Sequence, residues 1–398
     1  MRLFLFLKGI RWGESGINSF EMKNIRIYSI GLLLMVGVIF LSGCGGGMVG
    51  EVVDASPRAL QVVSLSPVDA PELWRVPVIG GEALQLTDTG GQVYDFAVSR
   101  AGDWIAYSTA NETVGHDLWL IDTASGELRK LLDCAEESCI EASWSADEAY
   151  LAFTRRNRTR ESVWIVNRES GAVTPLVADG APAGHSPSWS PDGRRVAFVE
   201  SQSNRIRIVD LEGGEQFLLP GDDGLMGNWS PDGERMVFLD TANDSLFGGV
   251  DVYIADLLTK SIEQLALPEF DDIATIVDTG EAEHGDEIDL TPGRVDASVP
   301  VWHPVEELLL LAQRPYFATF SKQLWLMPLA EGAEATAVTS DHNFSHGAYR
   351  WAPDGELVVY QRFALEFSDA VPQVWVWDRE AGEARLLIEN AALPQWLP

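Results

Sequence analysis

Histidines and cysteines are the residues of this sequence that offer the widest choice of chemistry, and they are few: six His and three Cys. His342 and His346 have the spacing of a metal-binding pair on one helix, but no helical periodicity surrounds them. The sequence contains no zinc-ligand spacing, no Cys–His pair and no G-x-S-x-G turn. It therefore predicts no metal site, no cofactor and no catalytic residue.

An export signal precedes Cys44. Lys23 and Arg26 are followed by an apolar run, residues 30–41, that is too short to span a bilayer of about 30 Å. The run ends in the letters LSGC, which resemble the lipobox of bacterial lipoproteins. That resemblance implies cleavage before Cys44 and attachment of lipid to its thiol. We expect residues 1–43 to be a signal peptide, with Met22 as the expected true start; a short, uncleaved anchor is the alternative.

The mature chain divides into a tether and one large domain. Residues 44–57 contain Gly45-Gly46-Gly47 and are predicted to be a flexible linker behind the lipidated cysteine. Residues 58–398 carry the folded domain. We expect an extracytoplasmic protein of the cell envelope, held to a membrane by the lipid on Cys44, either in the periplasm or on the outer face.

Export also bears on the redox state that we expect for Cys134 and Cys139. Four residues separate them. In an oxidising compartment this spacing favours a local disulfide, with two free thiols as the alternative.

The net charge excludes one class of partner. It is −32 at pH 7, and the first 43 residues, which are net basic, make the mature chain more acidic still. Such a charge repels phosphate backbones and anionic headgroups, so nucleic acid is not expected as a partner.

A repeated unit dominates the rest of the sequence. An apolar strand carrying Trp is followed by Ser-Pro-Asp-Gly, whose Pro and Gly favour a tight turn, and then by a second apolar strand such as VAFV. A third strand and a fourth strand complete each copy. The Trp position of each copy, here called the slot, is occupied by Val98, Trp144, Trp189, Trp229, Trp302, Trp351 and Trp396.

Four short strands per repeat, apolar on both faces, predict an all-β protein, a β-propeller of stacked four-stranded blades. Trp396 restarts the unit at the C-terminus, and residues 59–87 supply the three strands it lacks. We therefore expect seven blades, the last closed by N- and C-terminal strands; six blades are the alternative.

The repeats resemble those of TolB-like and WD-repeat-like propellers over residues 58–398. The resemblance implies the fold and leaves the function open, because many functions use it. Similar blades occur in prolyl-oligopeptidase-type enzymes, whose hydrolase signature is missing here. They also occur in oligogalacturonide lyases, which hold a metal through histidines in the central funnel.

The loops between the predicted strands can be assigned to the two faces of the propeller. This assignment predicts that one face, opposite the Ser-Pro-Asp-Gly turns, is rich in loops. It should carry an acidic insertion near 268–298, which could bind a cation but lacks the D-x-D-x-D-G pattern of a calcium loop. Functional loops on a rigid scaffold gather in this way. The candidate residues for a binding face there are His116, His185, His284, His342 and His346.

We therefore predict a binding or scaffold module of the cell envelope, which presents its loop-rich face to a protein, peptide or glycan, rather than an enzyme. The alternative is a metal-dependent polysaccharide lyase of the oligogalacturonide type, with its site in the central funnel.

Overall fold

The computed structural model describes residues 60–177, 183–214, 216–221, 224–241, 249–267, 295–315, 321–341, 343–365 and 370–398. The described residues form strands, turns and loops and include no helix, which confirms the all-β prediction. No helix in these ranges is therefore long and apolar enough to cross a membrane. The strands belong to one compact unit, Ala59–Pro398. The signal peptide, Cys44 and most of the acidic insertion lie outside the described residues.

The strands form antiparallel sets of four that follow one another along the chain. The first set pairs the last strand with the first three, in the order β29-β1-β2-β3. Its members are β1 (Gln61–Ser66), β2 (Glu72–Pro77), β3 (Leu84–Gln85) and β29 (Ala392–Leu397). The next two sets are β4 (Val93–Val98), β5 (Trp104–Ala110), β6 (His116–Asp122), β7 (Leu128–Leu132), β8 (Ser138–Trp144), β9 (Tyr150–Arg156), β10 (Glu161–Asn167) and β11 (Val173–Pro175).

The remaining four sets have the same antiparallel order. They comprise β12 (Gly184–Trp189), β13 (Arg195–Glu200), β14 (Ile206–Asp210), β15 (Gln216–Leu218), β16 (Asn228–Trp229), β17 (Arg235–Thr241), β18 (Val250–Asp256), β19 (Ser261–Leu265), β20 (Val295–Ala297), β21 (Val301–Trp302), β22 (Leu308–Pro315), β23 (Gln323–Pro328), β24 (Thr336–Ala337), β25 (Phe344–Trp351), β26 (Leu357–Ala364), β27 (Gln373–Asp378) and β28 (Glu383–Glu389). In the set that starts at β20, the first strand is in two pieces, because β20 and β21 both pair with β22.

The hydrogen bonding differs from the predicted seven separate sheets. Among the described residues, four sheets are single four-stranded sets, the sheet of β20 to β24 has five strands because its first strand is in two pieces, and the strands β4 to β11 form one continuous eight-stranded sheet. A single parallel bridge, between His116 of β6 and Ser138 of β8, joins the two halves of that sheet. The bridge forms because a short connection between β7 and β8 brings the start of β8 against β6.

Burial follows position within each set. The second strand is buried on both faces, as β13 shows with all six residues buried. The fourth strand is mostly exposed, as in β19. A strand that is covered on both faces must be apolar throughout, which explains the uninterrupted runs such as Val196–Val199.

Within the described residues the hydrophobic core is divided into seven clusters, and each one joins two successive sets. For example, Ala106 and Leu118 of one set pack with Leu151 and Phe153 of the next. The last cluster closes the ring, because Trp396 and Val62 pack against Val359 of the preceding set.

The Ser-Pro-Asp-Gly turns have the predicted geometry. At Ser190–Gly193 the Gly193 amide donates to the Ser190 carbonyl at 2.9 Å, and the Arg195 amide donates to the Ser190 hydroxyl at 2.9 Å. Gly193 has a φ of 75°, which glycine adopts without steric cost. In the copy where His303 replaces the serine, its Nδ1 accepts the amide of Glu306 at 2.9 Å.

The slot tryptophans connect neighbouring sets. In four copies the indole Nε1 donates to the carbonyl of the residue before the preceding slot. The pairs are Trp144–Ala97 (3.0 Å), Trp229–Ser188 (3.2 Å), Trp302–Asn228 (3.2 Å) and Trp396–Arg350 (3.0 Å). The indole nitrogens of Trp189 and Trp351 are buried and have no hydrogen-bond partner among the described residues. The slot residues are therefore packing residues between sets.

Candidate functional site

Antiparallel pairing fixes which residues share an end of each set. Ser138 at the start of β8 pairs with Arg156 at the end of β9, and Arg156 pairs with Glu161 at the start of β10. We call this end of the sets the loop face. The Ser-Pro-Asp-Gly turns lie at the opposite end, the turn face.

The first strands of five successive sets line a cavity of about 410 Å³. Its walls are residues one to four positions before the slots of these five sets, among them Glu141, Ser186, Ser298, Ala348 and Arg350. We call it the central cavity. A cavity of this volume is in the range of small-molecule sites.

A β-bulge shapes each of three first strands at this cavity. The register shifts between Ile140 and Ser143 in β8, and the same shift recurs in β12 and β25. At the bulges Glu141, Ser186 and Ala348 have φ values of 57°, 52° and 47°. Non-glycine residues in this left-handed region cost roughly 1–3 kcal/mol each and cluster at functional sites. Each bulge places the residue three positions before the slot in the wall of the cavity.

Asp95 and Glu141, which belong to adjacent sets, lie side by side at the third position before the slot. The Glu141 amide donates to Asp95 Oδ2 at 2.6 Å, and the Ser108 hydroxyl donates to Asp95 Oδ1. Burial raises the pKa of Asp95 to about 6. The Asp95 side chain keeps partial access to solvent, so this carboxyl sits deep in the protein without being sealed from water.

Glu141 has a different environment. Its Oε2 accepts the Thr154 hydroxyl and the Ser186 amide, both at 2.8 Å. Burial opposes ionisation of Glu141, but these hydrogen bonds outweigh it, and the pKa is lowered. Through Glu141, the Asp95 carboxylate of one set, the strand β8 of the next and the Ser186 amide of the third are tied together.

Five side chains lie together on the loop face, beside the carboxyl groups of Asp95 and Glu141. We call them the rim cluster; they are Tyr94, His116, Arg156, Glu161 and His185. Arg156 Nε donates to Glu161 Oε1 at 2.5 Å, and its Nη2 lies 3.7 Å from Glu141 Oε1. The rings of Tyr94 and His116 are 4.8 Å apart. The cluster draws on three successive sets.

The pKa of each rim histidine is lowered, which favours the neutral form of the ring. Burial lowers the pKa of His185, and the carboxylates of Glu141 and Glu161 offset this only in part. Burial and the charge of Arg156 lower the pKa of His116. Neutral imidazoles beside a paired guanidinium present fixed hydrogen-bonding groups rather than a net charge.

One rim contact has the distance of a nucleophile and its base. The Ser138 hydroxyl lies 3.0 Å from His116 Nδ1. A catalytic pair also needs a third group that orients the histidine. Within the described ranges no carboxylate binds the other nitrogen of this ring, since the neighbouring Asp117 is engaged by Lys130 Nζ at 2.6 Å. The arrangement serves positioning better than covalent chemistry.

The other candidates from the sequence lie elsewhere or outside the described residues. His346 is buried, and its Nδ1 hydrogen-bonds to the Lys322 carbonyl at 2.9 Å. Burial lowers the pKa of His346 to about 4, so it does not offer a charged ring to the surface. His284 and His342 fall outside the described residues, as does Cys44.

A disulfide joins Cys134 and Cys139 on the loop face, next to the rim cluster. The Cys134 amide donates to Asp117 Oδ1 at 2.9 Å, and the His116 amide donates to the Glu137 carbonyl within the same loop. The bridged loop thus holds the start of β6.

The described residues do not fit a resident metal. Among them no group of three His, Cys, Asp or Glu side chains is placed to hold an ion. His185 and His346, two of the histidines predicted for the binding face, lie on β12 and β25 in different sheets, and the Nδ1 atoms of both are hydrogen-bonded.

Sequence reasoning missed Asp95, Glu141, Arg156 and Arg350. The signal that could have found them is position relative to the slot: Asp95 and Glu141 both stand three residues before it, and Arg350 stands one residue before it.

Comparison with known proteins gives structural similarity without a family. No protein-family model and no curated protein matches the chain. The β-propeller domain of the Trilobed protease from Pyrococcus furiosus is 15% identical, with 74% of this chain and 82% of that chain covered and a TM-score of 0.51. The chain is a β-propeller.

Two further solved structures are similar to this propeller. A puromycin-hydrolyzing peptidase from Mycobacterium tuberculosis is 16% identical, with 84% of this chain and 52% of that chain covered and a TM-score of 0.55. TolB from Acinetobacter baumannii is 15% identical, with 85% and 83% covered and a TM-score of 0.48. At these identities the likeness concerns the fold alone. The Pyrococcus domain is described as having an open velcro topology, whereas here β29 pairs with β1.

Proposed function

We propose that the protein is an extracytoplasmic β-propeller, anchored to a membrane of the cell envelope by lipid on Cys44, that binds a protein, peptide or glycan on its loop face. In this proposal residues 1–43 are a signal peptide, residues 44–57 are the tether, and binding involves no chemical turnover.

The observation that carries the proposal is the rim cluster. Side chains of three successive sets are fixed there by hydrogen bonds around Arg156. Tyr94 remains 39% exposed beside them. An exposed aromatic ring next to fixed polar groups has the composition of a recognition surface.

The blade number is part of the same proposal. We propose seven blades, with the eight-stranded sheet counted as two. Support comes from the seven core clusters, which join each four-stranded set to the next and the last to the first. An experimental structure with any other number of blades would contradict this count.

The binding proposal can be tested with two exposed tyrosines on opposite faces. Tyr94 at the rim and Tyr150 on the turn face are 39% and 40% exposed, so they form a matched pair. Each is replaced by a photo-crosslinking phenylalanine derivative in the full-length protein in its own cells. We expect a crosslinked adduct from position 94 and none from position 150. Adducts only from position 150, or from neither, would overturn the proposal.

Anchoring is tested separately with Cys44→Ser. The variant should leave the membrane fraction and lose incorporation of labelled lipid; retention with the membrane would contradict lipidation at this residue.

The polysaccharide-lyase alternative makes a different demand. It needs a stoichiometric transition metal in the purified protein and the formation of unsaturated sugar from an acidic oligosaccharide. Finding both would replace the binding proposal.

A further inference from the structure

Arg350 is unlike every other residue at its position in the repeat. The residues one before each slot are Ala97, Ser143, Ser188, Asn228, Val301, Arg350 and Gln395. Three of the polar ones bridge to the next set. The Ser143 hydroxyl accepts the Trp189 amide at 2.9 Å, Asn228 Nδ2 donates to the Pro300 carbonyl at 2.8 Å, and Gln395 binds Phe96 and Val98. Arg350 makes no such bridge.

The guanidinium of Arg350 lines the central cavity without a carboxylate partner in the described part of the chain. Its one hydrogen bond runs from Nη1 to the carbonyl of the preceding Tyr349, at 3.0 Å. A guanidinium carries five N–H donors, so most of them stay available. By contrast Arg156, at the rim, is paired with both Glu161 and Glu141.

The backbone that carries Arg350 is held firmly. Its carbonyl accepts the indole of Trp396, and its register partner in β26 is Val359. The adjacent Tyr349 is buried and donates its hydroxyl to the Val299 carbonyl at 2.9 Å. The side chain therefore starts from a fixed point on the cavity wall.

The Arg350 side chain is surrounded by protein and yet accessible to solvent. Its side chain is exposed to solvent within the cavity, yet the surrounding protein is dense enough that burial lowers the pKa of the guanidinium. An arginine nevertheless keeps its charge at neutral pH. A charged group at such a place interacts more strongly with a ligand than it would on an open surface.

We propose that Arg350 is the anchor of a binding site in the central cavity for a small organic monocarboxylate. A planar carboxylate matches the donor fork of a guanidinium, and one negative charge matches the single unpaired cation of the wall. The other charged residue of the wall, Glu141, already accepts two hydrogen bonds and disfavours a ligand with several negative charges. Ser188 lines the same wall, and a serine hydroxyl can bind a polar group of the ligand. This site is separate from the rim cluster and does not depend on the partner proposed above.

Acetate, with its neutral analogue acetamide, is a direct probe. The full-length protein is labelled with ¹⁵N-arginine, and the Arg350 Nε–H signal is identified as the one missing from Arg350→Gln. Acetate should shift that signal in a saturable way at constant ionic strength, while acetamide should leave it unchanged. Arg385→Gln, which removes an exposed arginine of the outer strand β28, should retain the response.

Three results would overturn the proposal: an equal response to acetamide, a response to inorganic phosphate but not to acetate, or no shift of the Arg350 signal. None of them bears on crosslinking at the rim, so the two proposals fail separately.

Discussion

The indole Nε1 of Trp396 donates a hydrogen bond to the carbonyl oxygen of Arg350 at 3.0 Å, and so joins the last strand of the chain to the set before it. The Trp189 nitrogen, in the same slot of another repeat, is buried without a partner. Replacement of either ring by Phe removes a similar volume, but only Trp396→Phe breaks a hydrogen bond. We expect Trp396→Phe to lower the free energy of unfolding by about 1 kcal/mol more than Trp189→Phe, measured by urea denaturation. Equal losses would show that the hydrogen bond contributes nothing.

Gln395 joins the same strand, β29, to the set on its other side through β4. Its Oε1 accepts the Val98 amide at 3.0 Å and its Nε2 donates to the Phe96 carbonyl at 2.8 Å. Gln395→Glu keeps the acceptor and loses the donor, so we expect a loss of roughly 1–3 kcal/mol in the free energy of unfolding. Gln216→Glu on the exposed outer strand β15 is the control and should change stability by less than about 0.5 kcal/mol. A Gln395→Glu variant as stable as this control would show that the two Gln395 hydrogen bonds do not stabilise the closure between the first and second sets.

Asp95 should make stability depend on pH in an unusual direction. Its pKa is raised to about 6 by burial, above the 3.8 of the unfolded chain. The folded state therefore binds this proton more tightly, so Asp95 costs stability above pH 6 and the cost falls as the pH drops from 7 towards 4. Asp95→Asn removes this dependence. The free energy of unfolding of the variant minus that of wild type should fall by about 1 kcal/mol between pH 7.5 and pH 5. This change is expected whatever the difference between the two proteins is at pH 7.5.

Glu72 provides the contrast for that measurement. Burial acts against its ionisation, but hydrogen bonds from Thr87, Gly91 and Thr89 outweigh it and lower the pKa. Its contribution is lost only as the pH falls below the unfolded value of 4.5. Glu72→Gln should therefore keep a nearly constant offset from wild type between pH 7.5 and pH 5. A constant offset for Asp95→Asn as well would contradict the raised pKa.

The Cys134–Cys139 bridge should stabilise the protein modestly, because it closes a short loop. The chain-entropy relation gives about 2 kcal/mol for such a loop. We expect a Cys134→Ala, Cys139→Ala double variant to lose this amount in urea denaturation and to become insensitive to a reductant. A wild-type protein whose stability does not respond to reductant would contradict the expectation.

The repeat made most of the fold predictable. Each Trp-Ser-Pro-Asp-Gly copy contains its own turn chemistry, so the hairpin at Trp189–Gly193 and the closing role of Trp396 could be predicted from local sequence. The join between β6 and β8 could not, since it depends on how the bridged loop places Ser138 beside His116. Hydrogen-bond register between neighbouring sets is a tertiary property.

The candidate site was harder to predict because its members are far apart in sequence. Asp95 and Glu141 meet only because the ring places the same repeat position of adjacent sets side by side. The sequence drew attention to histidines, and His346 shows the weakness of that choice: a residue expected at the surface is buried against Tyr360. Burial of a polar residue depends on packing that no short motif encodes.

The pairing of Gln61 with Leu397 sets the order in which this molecule can be completed. β1 can pair with its neighbour in sequence, β2, at an early stage of folding, but its other edge has no partner until β29 is in place. A chain in which only the earlier strands have folded therefore carries an open strand edge, the kind of edge on which chains aggregate. Loss of β29 would leave that edge permanently open.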